Sequence, residues 1–175
     1  MHDDFERLVS QNYERIYGVI WRLVGDCQEA EDLTQDTFVN AYRARDGFRG
    51  DSHVYTWLYR IAVNLTKNRL EQLTRRRAEL LLPGDDGEEA WLASPEDADS
   101  LPERQVENSE LGEVVAQAVL QLPAKYREVV ILREYEQLSY EDVAEVLGYS
   151  VPTIKSRLFR ARGMLRRRLA RYVEL

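Results

Sequence analysis

Cysteine occurs once in this sequence, at Cys27, and histidine twice, at His2 and His53. One cysteine excludes an intramolecular disulfide and any CxxC metal or redox pair, and leaves a free thiol suited to a reducing cytoplasm. Two histidines this far apart speak against a zinc site or a His-based triad, so no metal and no catalytic residue is expected. Long apolar runs are missing too: nothing approaches the ~18 residues of a membrane span, so no membrane insertion is expected. The stretch MHDDFERLVSQNYERIY is acidic and amphipathic, with neither a basic n-region nor an apolar h-region, so no signal peptide is visible. P-loop, HExxH and GxSxG patterns are absent, and the acidic groups DDGEE and PEDADS lack calcium-loop spacing. The chain reads as cytoplasmic, without a cofactor, and not as an enzyme.

What is present is charge, unevenly placed. The 175 residues are 44% hydrophobic and 31% charged, the profile of a soluble globular protein, with formal net charge −7. Residues 1–78 are neutral on balance, residues 79–110 carry −10, and residues 111–175 carry +3. The middle block also holds Pro83, Pro95, Pro102, Gly84 and Gly87 and shows no apolar period. Such a segment reads as a flexible acidic linker. The expectation is an all-α chain of two small helical domains, 1–78 and 111–175, joined by that linker.

Helical periodicity runs through both. Phe5, Leu8, Val9, Tyr13, Ile16, Tyr17, Ile20 and Val24 recur at three- and four-residue steps, and Gly25 with Asp26 ends one helix and caps the next. That next helix has a narrow apolar stripe (Ala30, Leu33, Thr37, Ala41) and an opposite face dense in acid. A third helix begins after Ser52. At 100° per residue, Leu58, Ile61, Ala62 and Leu65 form its core stripe, while Trp57, Arg60, Asn64, Lys67 and Asn68 share a second arc. Cations suit phosphates and asparagine amides suit base edges. The plainer alternative, Trp57 as core and the others as ordinary surface, stays open on spacing alone. Arg75 to Arg77 end the run as a solvated terminus or a further phosphate cue.

In the second domain, apolar Leu111, Val114, Val115, Ala118 and Leu122 precede Pro123, and AKYREVVILREY reads as one helix. Ser139, with Asp142 three residues on, caps another. Val143, Ala144 and Leu147 face inward, Gly148 supplies a turn, and Ser150 caps a last helix with Pro152 in its first turn. This is helix-turn-helix grammar. On the last helix Ile154, Leu158, Ala161 and Leu165 form the buried stripe. Pro152, Thr153, Lys155, Ser156, Phe159 and Arg160 face outward as a DNA-reading surface. Every charged residue from Val146 to Val173 is basic. A macrodipole preference for cations would account for the final turn alone. Arg157 stands where an apolar residue is commoner.

The order of these features resembles a bacterial sigma factor of the extracytoplasmic-function group. EAEDLTQDTFVNAYRARDGFRGDS followed by YTWLYRIAVNLTKN resembles the family's σ2 helical bundle. LPAKYREVVILREYEQLSYEDVAEVLGYSVPTIKSRLFRAR resembles its σ4 helix-turn-helix domain. The resemblance implies that Asp32, Gln35 and Asp36 dock on the β′ coiled coil of core RNA polymerase, with the β flap as a further contact. It implies that Phe48 and Arg49, in a loop, help hold a flipped −10 base beside Trp57, Arg60, Asn64, Lys67 and Asn68. It also implies that Lys155, Ser156, Phe159 and Arg160 enter the −35 major groove, and that an anti-sigma factor is a partner. A conventional helix-turn-helix regulator or a nucleic-acid enzyme are the alternatives. The first would bind duplex operators unaided, and the second needs a metal or nucleotide site.

Overall fold

The computed structural model describes residues 2–47, 53–80 and 110–173, and among them every regular element is a helix. Helix α1 (His2–Val24) ends because Gly25 takes φ +75°, and a Cβ there would also stand 3.2 Å from a methyl of Leu120. Asp26 then caps α2 (Cys27–Ala44), its carboxylate accepting from the Glu29 backbone N–H at 2.8 Å. A 3-10 turn, Arg45–Gly47, closes α2. Helix α3 spans Val54–Leu80.

These three helices pack pairwise into one bundle. Ile16, Val19 and Ile20 of α1 meet Leu33, Phe38 and Ala41 of α2 and Leu58, Ala62 and Val63 of α3, all buried. Tyr13 stacks on Phe38 with ring centroids 5.9 Å apart. Three threonines buried here keep their hydroxyls satisfied on their own helices: Thr34, Thr37 and Thr66 each donate to the carbonyl four residues back, at 2.6–2.8 Å. A bidentate pair ties α3 to α2, the Arg69 guanidinium donating to Glu29 at 2.7 and 2.6 Å. This pair holds the Glu29 carboxyl below the usual carboxylate range.

The second lobe comprises α4 (Glu110–Leu120), α5 (Ala124–Val130), α6 (Tyr140–Leu147) and α7 (Val151–Val173). Its core is Ala118, Val119, Leu122, Tyr126, Val129 to Leu132, Val143, Val146, Leu147, Ile154, Leu158 and Ala161. The run AKYREVVILREY is not one α-helix. After Val130 it widens into a π-helical segment, Ile131–Tyr135, closed by the Glu136 N–H on the Ile131 carbonyl at 3.1 Å. The inserted residue rotates the end of the segment, so that Tyr135 and Glu136 face the first lobe. Within the expected α4 stripe, Leu111 is half exposed rather than buried.

The two lobes pack against each other: α6 lies along α3, and the carboxyl end of α1 abuts α4 and α5. This packing widens the buried arc of α3 beyond the stripe that periodicity suggests. Tyr59, Val63 and Thr66 are buried, whereas Ile61 and Leu65 are half-buried.

Candidate nucleic-acid interface

The helix-turn-helix is built from local chemistry. The Ser139 hydroxyl accepts from the Asp142 N–H at 3.0 Å and donates to the Asp142 carboxylate at 2.5 Å, a reciprocal cap for α6. Gly148 ends α6 in the left-handed region at φ 71°, a conformation a side chain would strain. Ser150 then takes the first-turn N–H of Thr153 at 3.4 Å and opens α7. Ile154, Leu158 and Ala161 are buried under α7, with Leu165 half-buried. The opposite face is thereby turned outward.

On that face Pro152, Lys155, Ser156, Phe159 and Arg160 are exposed and Thr153 is half-buried. Phe159 stands 80% exposed, a large apolar side chain that the lobe does not use for its own stability. The Arg160 guanidinium beside the Tyr126 hydroxyl, with Lys125 and Arg157 adding positive charge, holds that phenol below its ordinary pKa. Lys125, Tyr126, Pro152, Ser156 and Arg160 line a shallow open groove beside α7. Lys155 lies over the Tyr140 ring at 5.2 Å and Arg133 over the same ring at 4.8 Å. Further along α7, Arg166 and Arg167 are exposed and Arg162 pairs with Glu134 at 2.6 Å. The result is a cationic helix face with one projecting aromatic, suited to phosphates along its length and base edges near its start.

On α3, Arg60, Asn64 and Asn68 are exposed along one arc, and Trp57 is half-buried against the core. Lys67, which spacing groups with them, sits at the edge: its Nζ is 2.9 Å from Glu128 of the second lobe and 5.5 Å from the centroid of Tyr149. Phe48 and Arg49 lie outside the described residues. On α2, Asp32, Gln35 and Asp36 are exposed with Glu31, beside half-exposed Val39 and Tyr42.

Three residues that sequence reasoning passed over organise these surfaces. Arg127 is 5% exposed and donates to the carbonyls of Leu23, Leu120 and Leu122, at 2.5 Å to Leu23 and 3.1 Å to Leu122. It thus neutralises the carboxyl ends of α1 and α4 together, and burial lowers its pKa to about 10, so it stays charged at neutral pH. Glu128 is 4% exposed between Lys67 and Arg157, the latter at 3.3 Å. Arg157 also stacks on Tyr149 at 3.8 Å, which explains a cation where an apolar residue is commoner. Glu136 accepts from the Tyr59 hydroxyl at 2.5 Å and pairs with Arg15 at 3.4 Å. The available signal was an Arg-Glu pair set inside the apolar run from Tyr126 to Leu132. Among the described residues no helix is long and apolar enough to cross a membrane, and no cluster of metal-ligating side chains occurs.

Along both lobes the chain is similar to known proteins. The pattern of sigma-70 region 2 matches residues 8–76, and that of sigma-70 region 4 matches residues 112–165. The RNA polymerase sigma-H factor of Pseudomonas aeruginosa is 46% identical over 160 residues, 90% of this chain and 82% of that protein. The ECF RNA polymerase sigma-E factor of Haemophilus influenzae is 39% identical over 166 residues, covering 94% and 87%. Among solved structures, the sigma factor RpoE of Bartonella quintana, in complex with the anti-sigma factor NepR, superposes with TM-score 0.72 at 27% identity. That match covers 95% of this chain and 97% of the other. CnrH, in complex with the cytosolic domain of CnrY, superposes with TM-score 0.68 at 26% identity, covering 97% and 90%.

Proposed function

Because this chain belongs to the extracytoplasmic-function sigma factors, and so directs promoter-specific transcription initiation by RNA polymerase, we propose that its three exposed faces divide that work. The acidic face of α2, with Asp32, Gln35 and Asp36, docks on the β′ coiled coil of the core enzyme, and the second lobe contacts the β flap. The face of α3, with Arg60, Asn64 and Asn68, flanked by Trp57 and Lys67, holds unpaired −10 bases, with Phe48 and Arg49, which precede α3 in sequence, assigned to the same task. The outer face of α7, with Pro152, Thr153, Lys155, Ser156, Phe159 and Arg160, reads the −35 duplex. The observation that carries the reading is the presence of two separate cation-bearing helix faces and one acidic face in a single chain. A simple operator-binding regulator needs only the α7 face.

The energetics fit that division. Opening and capturing a base costs a few kcal/mol of stacking, least in A/T-rich sequence, so the amides of α3 are useful where strands are already separating. On α7, arginine donors can hold a guanine edge or a phosphate, and Phe159 can cover a thymine methyl. The acidic linker between the domains 1–78 and 111–175 resists unproductive binding to nucleic acid. The chain acts in the cytoplasm as a specificity subunit rather than an enzyme, with the chemistry belonging to the polymerase. An anti-sigma factor is a further partner, as NepR is for the RpoE of Bartonella quintana.

The test is assembly. Asp32→Arg combined with Asp36→Arg reverses two exposed charges one helical turn apart, so stability should change by no more than ~0.5 kcal/mol. Comigration with core polymerase in gel filtration should nevertheless be lost. Unchanged assembly would remove α2 as the docking site. Nanomolar, sequence-specific duplex binding by the free protein at physiological salt would point instead to the regulator.

A further inference from the structure

Helix α7 continues well past Arg160, and its arginines are of two kinds. Its inward stripe is Ile154, Leu158, Ala161 and Leu165. Arg157, Arg162 and Arg168 flank that stripe and are engaged by their own lobe. Arg157 meets Glu128 at 3.3 Å, Arg162 meets Glu134 at 2.6 Å, and Arg168 donates to the Ala118 carbonyl at 3.4 Å. Arg166 and Arg167 differ. Both are exposed, and neither has a hydrogen bond or ion pair among the described residues. At 100° per residue they fall within the ~140° arc that holds Lys155, Ser156, Phe159 and Arg160.

We infer, on the reading of α7 as the −35 helix, that Arg166 and Arg167 form a second DNA site. They clamp backbone phosphate at the margin of the groove that Phe159 and Arg160 enter. Seven residues separate the two pairs, about 10 Å along the helix axis. The major groove is about 12 Å wide. With the first pair at base edges, the second stands where the groove wall is phosphate. A guanidinium, permanently charged and planar, presents a donor fork that fits phosphate oxygens.

Gly163 lies between the two pairs on the same arc. Glycine is a poor helix former, yet a Cβ there would meet nothing within 4 Å, so no packing inside the lobe calls for it. A missing side chain in the middle of an outward face lets another backbone come close. Here it lets the sugar-phosphate strand pass between the reading pair and the clamp. Phosphate contacts carry no base information, so the clamp adds affinity on any sequence and allows a weak −35 element to suffice.

The experiment measures equilibrium promoter binding by the assembled holoenzyme between 50 and 200 mM salt, on templates with an intact or a scrambled −35 element. Two lost phosphate contacts change the slope of log K against log salt by about 1.8. Arg166→Gln with Arg167→Gln should therefore bind about tenfold or more weakly at 50 mM, and that deficit should shrink about tenfold by 200 mM. The deficit should be the same on both templates, whereas that of Arg160→Ala should require the intact element. Gly163→Leu should raise the thermal midpoint of the free chain, leucine being the better helix former, while weakening binding on both templates. Thermal unfolding also establishes that each variant is folded. A double variant with the wild-type salt slope, or with a deficit confined to the intact element, would overturn the clamp. Unchanged DNA binding with impaired transcription would overturn it too, and assign the pair to an acidic protein surface. Unimpaired binding by Gly163→Leu would overturn the close approach of the strand. A reduced slope in the double variant with Arg160→Ala silent on the intact element would leave the clamp standing and remove the −35 reading instead.

Discussion

Helices α3 and α7 each turn a polar, cation-bearing face outward, yet they reach that state by different routes. The face of α7 needs only its own lobe: Ile154, Leu158 and Ala161 are buried beneath it, and Phe159 and Arg160 project by default. The surroundings of α3 come from both lobes, so Tyr59 and Lys67 find partners in Glu136 and Glu128 of the other domain. A recognition helix of the first kind can be read from one stretch of sequence. A face of the second kind depends on where another domain sits.

The strongest way to probe this contrast is Arg127→Met. It would leave the carboxyl ends of α1 and α4 without their buried donor, at a cost of about 3 kcal/mol. Urea unfolding followed by the first-lobe fluorescence of Trp21 and Trp57 should shift with the second lobe, because one side chain serves both. A shift confined to the second lobe would mean that the two fold independently.

Arg160→Ala comes next. If α7 reads the −35 duplex as proposed, loss of this guanidinium should cost roughly 1–3 kcal/mol on promoters that carry that element, measured by transcription from the assembled enzyme. The fold should be unaffected, since Arg160 is exposed.

The pattern of what could be read from sequence obeys the same division. Asp26, Ser139, Gly148 and Ser150 were legible because capping and left-handed turns involve partners within four residues. The buried stripes of α2 and α7 came from 3.6-residue periodicity, though Thr34 and Phe38 also entered the core of α2. Tyr59 bonds Glu136 across 77 residues and Arg127 bonds Leu23 across 104, and no local pattern encodes such pairs. Lys67 is instructive: spacing groups it with Arg60, Asn64 and Asn68, whereas tertiary packing pairs it with Glu128. The π-helical turn at Ile131–Tyr135 was equally hidden, because its sequence is that of an ordinary amphipathic helix.

Glu29→Gln should have the smallest effect, about 1 kcal/mol, because its bidentate bond to Arg69 is partly exposed and lies within one lobe. The Glu29 carboxyl is held below its ordinary value, mainly by the Arg69 hydrogen bonds. Its contribution is therefore full above about pH 4.5 and is lost as pH falls through the lower folded value. Urea midpoints of wild type and variant should differ at pH 7 and converge in acid. A constant difference across that range would assign the loss to packing instead.

The most direct test of the division between the two faces is abortive transcription with core enzyme on four templates, with and without a −35 element, duplex or pre-melted at −10. Arg160→Ala should lose activity where the −35 element is present and little where it is absent. Asn64→Ala with Asn68→Ala should lose activity on both duplex templates and be partly rescued by the bubble, where the unstacking cost is already met. Equal sensitivity of both variants on all four templates would contradict the assignment of α3 to the melted strand and α7 to the duplex.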